Sequence, residues 1–173
     1  VKKSILAPIV ALGLIAGFTA ASIFWPVPSR GERIATLFKS YCLPHHRGED
    51  VTAKASADLV PHAHTASSTQ WIDQASASFL QLATRRCQVT TTHPFALSAL
   101  DAKELLDLIA PIVAQEFPEL PIDPKATMGP DSISKGWLLG KAQSPERWGV
   151  FFSAYPDWGA SAGSILFLAS PTQ

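Results

Sequence analysis

Apolar residues follow one another along this chain in changing rhythms. From Ile5 to Val27 they run together, with no charged residue among them. Pro26 and Pro28 close that run. Beyond it, Ile34, Leu37, Phe38 and Tyr41 recur at helical spacing, which predicts one face of a helix from about Arg30 to Cys42. Ser29 and Glu32 have the spacing of a capping box, in which hydroxyl and carboxylate each satisfy a free backbone N–H. Pro44 is expected to stop this helix. Residues 45–70 are small and polar with little period; they predict loop, with a turn of helix around Ala53–Leu59.

From Ser76 the rhythm shortens. Phe79, Leu80 and Leu82, then Cys87, Val89 and Thr90–Thr92, predict two strands joined near Thr84–Arg86. A second helix follows. Ser98 is its expected N-cap, Asp101 and Glu104 meet the positive end of its dipole, and Leu105, Leu108, Ile109, Ile112, Val113 and Phe117 form its buried stripe. Pro111 falls inside it and predicts a kink or a break at Ala110. After a Pro-rich connector come three strands, at Ile133–Leu139, Trp148–Tyr155 and Ser164–Ala169, separated by Gly140, Ser144–Pro145, Pro156–Asp157 and Gly159.

The order helix, hairpin, helix, three-stranded meander defines an α+β domain with an antiparallel sheet of about five strands. Trp148–Tyr155 and Ser164–Ala169 are apolar on both sides, where a one-sided sheet would alternate. The expectation is therefore that both sheet faces are covered, the Ser98 helix on one and the Ser29 helix on, or around the edge of, the other. The alternative is that one face stays open and binds something.

Composition sharpens the picture at the N-terminus. Of 173 residues, 47% are apolar and 16% charged, and much of the excess lies in the first thirty. Lys2 and Lys3 precede the apolar run, the arrangement of an export signal or a membrane anchor. The run is long enough to span a bilayer, while Thr19 and Ala21 would allow cleavage after Ala21; both readings stand. Either way, residues 1–28 are a signal peptide or anchor, and 29–173 form a single exported domain. That domain would be periplasmic or extracellular, held to the inner membrane if the segment is retained. Without Lys2 and Lys3 there remain 12 basic and 14 acidic residues and no basic stripe, which argues against nucleic acid. The chain has no Asn and so no N-glycosylation site.

Two cysteines in an exported domain predict one disulfide, Cys42 to Cys87, tying the first helix to the sheet. The neighbouring Cys42-x-x-His45-His46 lacks the second cysteine of a haem attachment site. His45, His46, His62 and His64 together form a candidate copper or zinc site, although their spacing matches no ligand signature and a solvated loop explains them as simply. His93, before a proline, reads as a turn residue. No other cofactor is expected.

Catalytic patterns are weak. Gly159-x-Ser161-x-Gly163 has the nucleophile-elbow spacing, but no acid or histidine follows it. Ser132-x-x-Lys135 lacks its companion motifs. There is no phosphate-binding glycine loop. Among the aromatics, Trp158 lies in a Pro-Asp-Trp-Gly turn that is hard to bury, and with Tyr155 it is the candidate for contact with a ligand or partner. The expected function is thus a non-enzymatic exported domain that binds a protein or small ligand. A metal-binding protein using the histidine-rich loop is the alternative, and an enzyme comes last.

Overall fold

A computed structural model describes residues 27–171. Residues 1–26, which hold most of the apolar N-terminal run and the Ala21 site, lie outside the described residues. The elements are α1 (Arg30–Leu37), a π-helical turn (Phe38–Cys42), α2 (Leu43–His46), α3 (Thr52–Asp58), β1 (Val60–His64), β2 (Ser68–Asp73), β3 (Ser78–Ala83), β4 (Arg86–Thr92), α4 (Ala99–Glu116), β5 (Ile122–Asp123), β6 (Ile133–Leu139), β7 (Trp148–Tyr155) and β8 (Gly163–Ala169). The strands form one antiparallel sheet in the order β1-β2-β3-β4-β8-β7-β6-β5.

The α+β class and the antiparallel sheet are as expected, but the sheet has eight strands rather than about five. The additions are β1, β2 and β5, which lack the pattern that announces a strand. All five residues of edge strand β1 are exposed, so no period-two burial marks it. In β2 the buried positions are Trp71 and Asp73, and a buried aspartate reads as polar loop. β5 is two residues long within the Pro-rich connector.

Register places Trp71, Leu80, Val89, Leu166 and Phe152 side by side on one face of the sheet. The adjacent row is Leu82, Cys87, Leu168, Val150 and Trp137. These side chains are buried, and they form one core with Ile34, Leu37 and Phe38 of the first helical stretch and with Leu105, Ile109 and Val113 of α4. Each such burial contributes about 1.5–3 kcal/mol before the ordering cost.

Both helices of this core therefore lie on the same face, contrary to the expectation of one per face. Two local features force it. Cys42 and Cys87 form a disulfide, with Cα atoms 5.1 Å apart, and Cys87 points to the face that α4 also covers. Gly31 then lets α1 seat against α4: a Cβ there would lie 2.9 Å from a Glu104 oxygen and 3.3 Å from the Leu105 amide. The two helices run parallel. Ser29 donates to Glu104 at 2.9 Å at one end, and Arg47 pairs with Glu116 at 3.2 Å at the other.

Proline acts differently from expectation at two places. Pro44 does not end the first helix; it lies in the first turn of α2. The preceding π turn, in which the Leu43 amide donates to Phe38 carbonyl, shifts the hydrogen-bond register just before a residue with no N–H to give. Pro111 does not break α4, which is assigned as helix from Ala99 to Glu116 with the proline ring on its exposed side. The expected capping box is present at Ser29–Glu32, and Ser98, expected as an N-cap, forms a second one with Asp101.

Candidate binding surface

Among the described residues the packed helices lie on one side, and the other side of the sheet has no helical layer. Its rows are read from the register: Gln70, Gln81, Gln88, Phe167, Phe151 and Gly136 in one, and Ile72, Phe79, Thr90, Ile165, Ser153 and Ser134 in the next. The β5–β6 connector covers the β6–β7 part, with Ala126 lying over Gly136. Beneath it Phe151 and Ser153 are buried, and Ser153 shares a hydrogen bond of 2.7 Å with Ser134. Among the described residues no such cover lies over β2, β3, β4 and β8, and Ile72, Phe79, Ile165 and Phe167 are only half-buried.

Side-chain contacts tie the strands of this open area to one another. Gln88 donates to Gln81 at 2.7 Å, and Gln81 donates to Ser68 at 3.1 Å. Phe167 packs on Phe151 at 5.5 Å between ring centres, and the exposed Arg86 guanidinium lies 5.3 Å from the Phe167 ring. Arg86 also borders a cleft of about 480 Å³ with Arg85 and Arg147, so this end of the surface is cationic. Arg147 itself is paired with Asp123. The opposite corner carries Val60, 43% exposed, and His62, whose ring is 5.3 Å from Phe79.

The four candidate histidines are spread out. His45 and His64 line one groove of about 380 Å³ together with Glu49 and Asp50. In that groove the Nε2 of His45 bonds the Ala83 carbonyl at 2.8 Å, His64 bonds the Thr69 hydroxyl at 2.8 Å, and Asp50 caps the Thr52 amide. His62 lies at the bulge between Pro61 and Ala63, toward Phe79. His46 is elsewhere, stacked on Trp148 and edge-on to Phe117, with its ring bonded to the Ser170 hydroxyl. Burial, reinforced by nearby Arg47, holds His46 below the ordinary imidazole value. Among the described residues no group of three or more His, Cys, Asp or Glu is placed to hold a metal ion.

The candidate aromatics are close to each other: Tyr155 and Trp158 have ring centres 4.9 Å apart, and Trp158 is 38% exposed. Trp71 and Trp137 are core residues. Ser161 sits in a single 3₁₀ turn leading directly into β8, so the strand–turn–helix setting of a nucleophile elbow is not formed.

Sequence reasoning missed a polar cluster at the base of α1. Asp73, 2% exposed, accepts Nε and Nη2 of Arg33 at 3.1 and 2.7 Å, and also the amide and hydroxyl of Ser76. Burial works to raise its carboxyl, but the bonds from Arg33 and Ser76 outweigh it and hold Asp73 below the ordinary carboxylate value. Arg30 donates to the carbonyls of Ser76, Phe95 and Ala96. Nearby, Tyr41 donates to Asp58 at 2.8 Å; its phenol is pushed up to about 12, by burial first and by that bond second. No spacing in the sequence joins Arg33 to Asp73 forty positions away. The Arg33–Asp73–Ser76 bonds and Arg30 fasten α1 to the β2–β3 turn.

The fold and surface together describe a disulfide-tied α+β domain with one helical layer and one partly open sheet face. Comparison with known proteins finds no family model, no curated protein and no solved structure that matches this chain.

Proposed function

We propose that this is an exported, non-catalytic binding domain, attached to a membrane by its N-terminal segment where that segment is retained, and that it captures a protein partner on the open sheet face. One observation carries the reading: Ile72, Phe79, Ile165 and Phe167 form a half-buried apolar strip, with Thr90 between Phe79 and Ile165, over which no helix of the described residues lies, while the other sheet face packs against the helices. Contiguous apolar surface of this kind marks interaction sites. A strip spread over several strands favours a protein over a small ligand, since small ligands seek enclosed pockets. Arg86 at one end selects a partner whose apolar strip ends in carboxylates. The disulfide supports a location outside the reducing interior.

The test is site-specific photo-crosslinking in cells that export the protein, with p-benzoylphenylalanine replacing Phe79 or Phe167, and Lys103 or Asp107, exposed on α4 across the sheet, as controls away from the face. A discrete adduct from the face positions alone, weakened by Arg86→Glu, is the expected result. Adducts equally strong from the control positions, or none from the face, would overturn the proposal. An adduct of twice the chain's mass would identify a second copy as the occupant and overturn the choice of a different partner.

A further inference from the structure

Large apolar side chains that remain exposed are unevenly placed. Among the described residues there are eight, and five of them — Val27, Phe95, Leu100, Met128 and Trp158 — gather at one end of the domain. They come from four separate stretches of the sequence, which contacts bring together. Arg30 Nη2 holds the Phe95 carbonyl at 2.7 Å, next to the start of α1. Ser29 bonds Glu104, one helical turn along α4 from Leu100. The His93 amide donates to the Ala162 carbonyl at 2.9 Å, joining the Phe95 loop to the Trp158 turn. Trp158 in turn lies against Gly129, the neighbour of Met128.

This is also the end at which the chain enters the described domain. Residues 5–27 are uncharged and almost wholly apolar, and they join the domain at Val27, which is 91% exposed. The opposite end is polar, with Thr65, Ser67, Arg85, Arg86, Lys141, Glu146 and Arg147 in its turns; Leu139 is an exposed large apolar side chain there, and Ile122, paired with Trp137, is another toward that end. An apolar end continuous with an apolar segment, bearing an exposed tryptophan, has the character of a surface seated at the lipid–water boundary.

We infer that this end of the domain rests on a lipid bilayer, with Phe95, Leu100, Met128 and Trp158 reaching the boundary around the point where the N-terminal segment enters. The inference rests on the reading of residues 5–27 as a membrane anchor. It fixes the orientation of the molecule: α1, α4 and the strands stand away from the membrane, and the cationic end of the open sheet face points outward to meet a partner. Charge at the seated end is mixed, with Lys103 and Lys125 beside Asp101, Asp131 and Asp157, so the contact depends on apolar insertion rather than on anionic lipid.

The full chain, reconstituted in phosphatidylcholine vesicles containing a lipid with a photoactivatable acyl chain, provides the test. After irradiation and digestion, label is expected in the peptides carrying residues 1–26, 93–100, 126–130 and 156–161, and at background in those carrying 65–67, 84–86 and 141–147. Adding phosphatidylserine should leave the pattern unchanged. Label in residues 1–26 with only background at 93–100 and 156–161 would overturn the seating while leaving the anchor reading intact. Background throughout would overturn both. A pattern that appears only with phosphatidylserine would also overturn the inference, because charge would then be the attraction.

Discussion

Removing the Cys42–Cys87 bond tests the mechanical centre of this structure. The variant Cys42→Ala/Cys87→Ala leaves the helix–sheet contacts but frees a loop spanning 45 positions. In the chain-entropy account that release is worth about 4 kcal/mol at 25 °C, the unfolded chain being the state that gains. The two side chains are 0% and 1% exposed, so their truncation adds a smaller packing loss in the native state. Urea unfolding followed by tryptophan emission is the assay, since Trp71 and Trp137 are buried and report on the core. For a slope near 2 kcal/mol per M, the midpoint should fall by roughly 2 M. The slope itself should rise, because an uncrosslinked unfolded chain exposes more surface. If the double variant does not accumulate, the same comparison runs on the unaltered protein with and without reductant. A midpoint shift under about 0.5 M, at unchanged slope, would refute the reasoning. It would mean that α1 is held by its contacts with α4 and by Arg33–Asp73, and that the bond constrains little.

Arg33→Ala should cost about 2–4 kcal/mol, since it leaves a nearly inaccessible Asp73 carboxylate with only Ser76 for company, while Arg33 itself is partly solvated. Acid sensitivity follows from the same pair. The folded Asp73 value lies below the unfolded one, so its contribution is full above about pH 4 and is lost as pH falls through the folded value; Asp73→Asn should flatten that limb of a stability–pH curve. Tyr41 behaves oppositely, its contribution holding up to about pH 10 and fading toward pH 12, which Tyr41→Phe should abolish in alkaline unfolding. Pro111→Ala, at an exposed position inside α4, should raise stability by up to about 3 kcal/mol, seen as a higher midpoint in thermal unfolding. Gly149→Ala should prevent folding or lower the midpoint severely, because φ there is +131° and a Cβ would come within 2.2 Å of the Trp137 carbonyl oxygen. Zinc or copper calorimetry offers a check on the histidines. With His46 apart from the His45–His64 groove, the expected heat is weak and unchanged by His46→Ala; tight binding lost in that variant would contradict the geometry.

Much of the architecture was legible in the residues. Ser29–Glu32 and Ser98–Asp101 mark both long-helix starts because capping is a local transaction between neighbours. The β3–β4 hairpin is legible because its inward positions alternate, and the β6–β7–β8 meander because its apolar runs are bounded by turn residues. The binding surface was legible only as a pair of alternatives. Phe151, Ile165 and Phe167 read equally well as core or as open face, since period and hydropathy do not distinguish a neighbouring helix from solvent or a partner. β1 was illegible because an edge strand with every residue exposed carries no burial pattern, and β2 because its buried Asp73 is intelligible only once Arg33 is placed beside it.

By itself the sequence determined the helix caps, the three-stranded meander, the pairing of its only two cysteines and the apolar character of residues 5–27. Each is decided by neighbours along the chain or by simple counting. Which face the helices occupy was decided only in three dimensions, when the disulfide and the Gly31 contact drew both helices to the Cys87 side. Two consequences were settled in the same way: the strip from Ile72 to Phe167 left uncovered, and Phe95, Leu100, Met128 and Trp158 assembled around Val27. Adjacency of this kind is a property of the packed chain, and no local pattern encodes it.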